Sequence, residues 1–134
     1  MGQQQLLLIV LGVIIVGIAI VVGINLFNAN AVSSNKDSIA SDLNNLGAMS
    51  RQFANKPTSM GGGATAAGPS FVGFAIPTGL TATANATYSI SSVGTATGIE
   101  FTGTSTSQKG ANNAAVTLKD IVSLAKDSVV VTNP

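Results

Sequence analysis

Side chains able to do chemistry are few in this chain, and those present do not converge. The 134 residues include no cysteine and no histidine. Thiol nucleophiles, disulfides and Cys-based zinc sites are therefore excluded, and the commonest metal ligand and general base are missing. Asp42, Glu100, Asp120 and Asp127 are isolated carboxylates, each reading as a solvated or ion-paired side chain. Gly61-Gly62-Gly63 is glycine-rich but lacks the spacing and the following lysine of a phosphate-binding loop. Five Phe and one Tyr are too few for an aromatic relay of electrons. We therefore expect no enzymatic activity, no cofactor and no metal.

The remaining polar chemistry is that of amides and hydroxyls. Gln3, Gln4 and Gln5 stand together immediately before an apolar run. They can donate and accept hydrogen bonds but carry no charge. Asn85-Ala86-Thr87 is an N-x-T sequon in an expected loop, which makes Asn85 a candidate glycosylation acceptor. Charged residues make up only 8% of the chain, against about 25% in a typical soluble domain. Net charge is +1 with no basic cluster, so there is no electrostatic footprint for nucleic acid. Ser, Thr, Asn and Gly of the second half must hydrate the surface instead.

These groups are carried by three segments. Leu6 to Ile24 is a run of 19 residues without a polar or charged side chain. As a helix it would extend about 28 Å, close to the hydrocarbon thickness of a bilayer. Many of its residues are β-branched, but in lipid a helix satisfies its own backbone groups where a lone strand cannot. The run is apolar around its whole circumference, and the rest of the chain is too small to wrap it as a core helix. Ala29-Asn30-Ala31 resembles a signal-peptide cleavage site, yet no basic residue precedes Leu6 and the run is too long for such a peptide.

From Asn25 to Asn55 the pattern becomes amphipathic. Ile39, Leu43, Leu46, Met49 and Phe53 are spaced 4, 3, 3 and 4 apart, one face of a helix. No proline occurs before Pro57, so one long helix is predicted, ending where the residue before Pro57 leaves the α region. Glycines, and the Asn and Ser residues, weaken it, and we expect local loosening near Gly12 to Gly23 or Asn28 to Asn35.

Beyond Thr58 the chain reads as strands and turns. Phe71 to Ile76 is an expected short strand, and Tyr88 to Val93 with Ile99 to Thr102 an expected hairpin burying Tyr88, Ile90, Ile99 and Phe101. Thr104 to Asn113 reads as a polar loop. Val116 to Lys126 fits a helix, with Thr117 and Asp120 as a capping box, or a strand. Ser128 to Thr132 suits a last strand. This segment has few large apolar residues, and the stripe from Ile39 to Phe53 is the surface available to cover a four-stranded sheet. The expected architecture is α+β. A long N-terminal helix, apolar in residues 1–27 and amphipathic in 28–56, packs under a small antiparallel β-sheet domain in 57–134.

An apolar N-terminal helix continuing amphipathically under such a sheet resembles the type IV pilins. The likeness is carried by Met1-Gly2-Gln3-Gln4-Gln5-Leu6-Leu7-Leu8-Ile9-Val10-Leu11-Gly12-Val13-Ile14-Ile15. It is specific over roughly the first 27 residues and architectural beyond them. It implies a precursor with a short basic leader, removed at a glycine by a prepilin peptidase, and we expect the chain to be written in its mature form. Cleavage after Gly2 would instead put Gln3 first. The resemblance implies a glutamate at the fifth position, and this chain departs from it with Gln5.

The implied function is that of a major pilin, the structural subunit of an extracellular filament. Gln3, Gln4, Gln5, Leu6, Leu7, Leu8, Ile9, Leu11, Ile14, Ile15 and Ile18 would form the filament core. Gly12, Gly17, Ala19 and Gly23 would let neighbouring helices approach. The partners are then other copies of the chain, the cytoplasmic membrane before assembly, the peptidase and an assembly machine. The rival readings are a minor pseudopilin of a secretion or DNA-uptake machine and a monomeric membrane-anchored surface protein.

Overall fold

The computed structural model describes residues 2–110, 114–125 and 127–131. The fold is α+β. Helix α1 (Gly2–Asn55) is followed by 3-10 turns at Thr58–Met60 and Thr78–Leu80. Four strands come next: β1 (Ala86–Ser92), β2 (Gly98–Lys109), β3 (Ala115–Ser123) and β4 (Asp127–Val131). The chain divides into two units between Ser33 and Ser34.

The first unit is helical throughout its described residues. The loosening expected around Gly12 to Gly23 or Asn28 to Asn35 is not found, and α1 is unbroken across both stretches. A glycine weakens a helix by about 1 kcal/mol, which is a cost and not a break, and no proline removes a hydrogen bond. Every residue from Gly2 to Val22 is exposed.

In the second unit α1 turns one face inward. Asn35, Ile39, Leu43, Leu46, Gly47, Ser50 and Ala54 are buried at spacings that keep to a single helical stripe. The sequence pattern located Ile39, Leu43 and Leu46 in the core. Met49 and Phe53, expected beside them, are half-buried, and the small residues Gly47, Ser50 and Ala54 take the closest positions. Ser50 settles its hydroxyl by donating to the Gly47 carbonyl at 2.8 Å.

The helix ends one residue before Lys56-Pro57, as the proline requires. Its last carbonyls would otherwise be orphaned. The glycine loop supplies the missing donors: Gly63 N–H reaches Phe53 O at 2.9 Å and Ser70 N–H reaches Ala54 O at 3.2 Å. Gly63 allows this closeness, since a Cβ there would lie 1.9 Å from Ser70 O.

The strands form one antiparallel meander in the order β1-β2-β3-β4. Tyr88 pairs with Gly103 and Gly103 with Leu118, while Phe101 lies between Ile90 and Asp120. Alternation puts Ala86, Tyr88, Ile99, Phe101, Val116, Leu118 and Val122 in the core. Ile90, expected with them, is half-buried. Gly103 occupies an inward position where α1 crosses closest. A side chain's first carbon there would stand 2.8 Å from Ile39 Cγ2 and 2.9 Å from the Tyr88 ring.

Two sequence expectations are corrected, and one left open is decided. Phe71 to Ile76 is not a strand: Gly73 takes φ 86°, and Phe71 is instead buried with its N–H bonded to Thr95 O at 3.0 Å. Phe74 packs edge-on to Phe53 and to Phe101, with ring centroids 5.5 and 5.7 Å apart. Thr104 to Lys109, read as loop, extends β2, and residues 111–113 of that reading lie outside the described residues. Of the two readings open for residues 116–126, residues 116–123 take the strand, as part of β3. Lys126 and Thr132, the ends of two expected elements, also lie outside the described residues.

Candidate functional site

The surface with the greatest unmet chemical demand is the first part of α1. Its large apolar side chains from Leu6 to Phe27 are exposed, from 48% at Leu11 to 76% at Phe27. Leu6, Leu7, Leu8, Ile9, Ile14, Ile15 and Ile18 all lie in this surface, so the residues expected to form a filament core share an open apolar helix. The helix is long and apolar enough to cross a membrane.

An unbroken helix also sorts the small and amide residues by face. At about 3.6 residues per turn, Gln5, Gly12, Ala19 and Gly23 fall within about 40° of one another. Gly17 faces away from them, Gln4 is turned about a quarter turn from Gln5, and Gln3 lies almost on the opposite face. The expected group of four small residues thus resolves into a stripe of three headed by an amide, with Gly17 apart. A Cβ added at Gly12, Gly17 or Gly23 would meet nothing within 4 Å. The fold of the chain makes no demand for glycine at these places.

The carboxylates take up structural positions. Asp42 Oδ2 accepts a hydrogen bond of 2.6 Å from the Tyr88 hydroxyl, joining α1 to β1. Burial, and secondarily the bond to Asp42, push the Tyr88 phenol well above its ordinary value. Glu100 pairs with Lys119 at 2.8 Å on the outer face of the sheet. Asp120 is not solvated: it is fully buried on the inward face of β3 between Leu118 and Val122. The Asp127 side chain lies outside the described residues. Among the described residues, no three acidic, His or Cys side chains come together as metal ligands.

Asn85 lies in the turn before β1, as its sequon context suggested. It borders a groove of about 470 Å³ whose other walls are Ser34, Asp37, Ser38, Ser41 and Asp42 of α1. Sequence reasoning found Asn85 but not these helix residues. Their signal was a run of polar residues that begins at the edge of the buried stripe, with Asp42 and Ser38, and extends to the far face of the helix.

Compared with protein-family models, curated proteins and solved structures, the chain matches none. A long apolar N-terminal helix with a small antiparallel sheet is compatible with a pilin-like architecture.

Proposed function

We propose that this chain is the structural subunit of an extracellular pilus-like filament, anchored in the cytoplasmic membrane by residues 6–27 before assembly. One observation carries the reading. An apolar surface runs around the entire first part of α1, in a chain whose other unit buries its own core. Such a surface is stable only in lipid or against similar surfaces.

In lipid, helix association gains little from hydrophobicity, because lipid tails are as apolar as the side chains. Close packing supplies the difference, and the stripe of Gly12, Ala19 and Gly23 suits it. Moving the helix from lipid into a bundle of identical helices leaves its apolar surroundings unchanged. A head-to-tail contact that does not close into a ring then grows into an open filament. Gln5 heads the same stripe and would hydrogen-bond a neighbour's helix-end groups there as a neutral amide. It avoids the desolvation of a buried carboxylate and forgoes its attraction. Packing must therefore hold these helices together to a greater extent.

Electron microscopy of material sheared from cells tests the proposal. Long fibres composed mainly of this chain are expected. Protein that stays in membranes without fibres would sink it and favour a monomeric anchored protein. Trace amounts in fibres of another subunit would point to a minor pseudopilin. Val16→Asp places a carboxylate within the apolar surface, at about 2.5–3.5 kcal/mol in a membrane helix centre. It should abolish fibres, and unaffected assembly would refute a core built from this helix.

A further inference from the structure

We propose that Asn85 is N-glycosylated and that its first sugar is seated in the groove between the Asn85 turn and α1. The sequon is placed for this by its backbone. Asn85 N–H donates to Thr83 Oγ1 at 3.4 Å, and Asn85 O accepts from Asn35 Nδ2 at 3.4 Å and from Thr106 N–H at 3.3 Å. The main chain is held on both sides, while the Asn85 side-chain amide makes no hydrogen bond among the described residues. Thr87, whose hydroxyl completes the sequon, is exposed on β1.

The groove has the chemistry of a sugar seat. Three hydroxyls, from Ser34, Ser38 and Ser41, and two carboxylates, from Asp37 and Asp42, line its helix side. Carboxylates accept from sugar hydroxyls with charge-assisted bonds. Ser38 already donates to Ser34 O at 3.0 Å, which leaves its oxygen lone pairs directed at incoming donors. The groove is shallow and open to solvent, so a sugar attached at Asn85 could lie along it while the rest of a glycan continues outward. It holds no aromatic or aliphatic wall, so a neutral polyhydroxylated ligand suits it better than an apolar one.

The modifying step uses a phosphate-activated glycosyl donor. A bond forms between Asn85 Nδ2 and the anomeric carbon, and the bond from that carbon to the donor's phosphate oxygen breaks. The phosphate leaves with the electron pair, and one amide proton is lost to it. Polymerisation plays no part, because a subunit that stayed monomeric would present the same sequon.

The test is the mass of the full chain purified from its native host, with mapping of the peptide containing Asn85. The peptide should carry one or more sugar-sized increments. Asn85→Gln and Thr87→Val should return it to the sequence mass, and Thr87→Ser should keep the increment. An unmodified wild-type peptide overturns the proposal, as does an increment that persists in Asn85→Gln. A cryo-EM or crystal structure of the native chain tests the seat. Density should run from Asn85 Nδ2 across Ser38 and Ser41, and density directed away from α1 overturns the seating. Fibres with an unmodified Asn85 would defeat this inference alone. A glycosylated chain that never forms fibres would defeat the filament reading alone.

Discussion

The two parts of α1 share a backbone and differ in what their side chains face. From Ile39 to Ala54 apolar and small residues keep to one stripe, and the sheet unit buries that stripe. From Leu6 to Phe27 apolar residues occupy every face, and all the large ones are exposed. Periodicity records the partner. A stripe means that one side meets protein and the other meets water, whereas an unbroken apolar run means that no side is meant for water. The stripe finds its partner inside the same chain. The run needs an apolar environment outside the chain's own sheet unit.

Paired substitutions of one kind should separate these demands most strongly. Leu43→Ala removes a fully buried side chain and should lower the stability of the detergent-solubilised chain by about 2–5 kcal/mol. Leu11→Ala, at an exposed position, should change it by less than about 0.5 kcal/mol. Its effect should appear instead in fibre yield. Equal losses on thermal unfolding would break the distinction between the two parts of the helix.

The link from α1 to the sheet is expected to weaken next. Tyr88→Phe deletes a hydrogen bond to a carboxylate and should cost about 1.5–3 kcal/mol. It should also change the pH dependence. The folded phenol is held above its ordinary value of about 10, so below that pH both states are protonated and its contribution is complete. As pH rises through about 10 the unfolded phenol ionises while the folded one stays neutral, and stability is lost. Tyr88 is the chain's one tyrosine, so melting temperature should fall more steeply above pH about 10 in wild type than in Tyr88→Phe. Parallel curves would show that the phenol is not held in this way.

Gly103→Ala probes the closest approach of helix and sheet. The added carbon meets Ile39 and the Tyr88 ring at under 3 Å, and overpacking of this kind costs about 1–3 kcal/mol in chemical denaturation. No loss would mean that α1 can move away from β2 without penalty. The smallest effect is expected at Gln5, a polar group at the start of the apolar part. Gln5→Ala should leave the subunit's own stability unchanged and weaken fibres against heat by about 0.5–1.5 kcal/mol per lost contact. Fibres of wild-type stability would show that its amide joins no neighbour.

The Asn85 side chain makes no hydrogen bond among the described residues, so modifying it breaks none that the fold uses. Its backbone does: Asn35 and Thr106 both bond to its carbonyl. Such polar groups at a helix–sheet boundary have no periodic signature. Asn35 is buried for the sake of one turn, and its spacing of four from Ile39 is the single trace it leaves in the sequence.

Elements built from local rules were legible in the sequence. The apolar run, the stripe through Ile39, Leu43 and Leu46, and the helix end at Pro57 each follow from composition, spacing or backbone sterics. The sheet depended on neighbours. In β3 the apolar pattern alone fits Leu118, Ile121 and Val122 to a helix, but the fold buries Asp120 and leaves Ile121 46% exposed. Strands β2 and β4 pair with β3 on both sides and impose period two, whatever residue that turns inward. Phe71 to Ile76 has strand-like residues but gains no strand partner among the described residues; Phe71 is buried instead, and Phe74 packs edge-on to both Phe53 and Phe101. The sequence by itself determined the long N-terminal helix, its end at Pro57 and the stretch that must avoid water, because those are properties of a segment. Only the tertiary structure decided that residues 104–109 and 116–123 are strand, and only it made the groove beside Asn85, because pairing and grooves exist between segments.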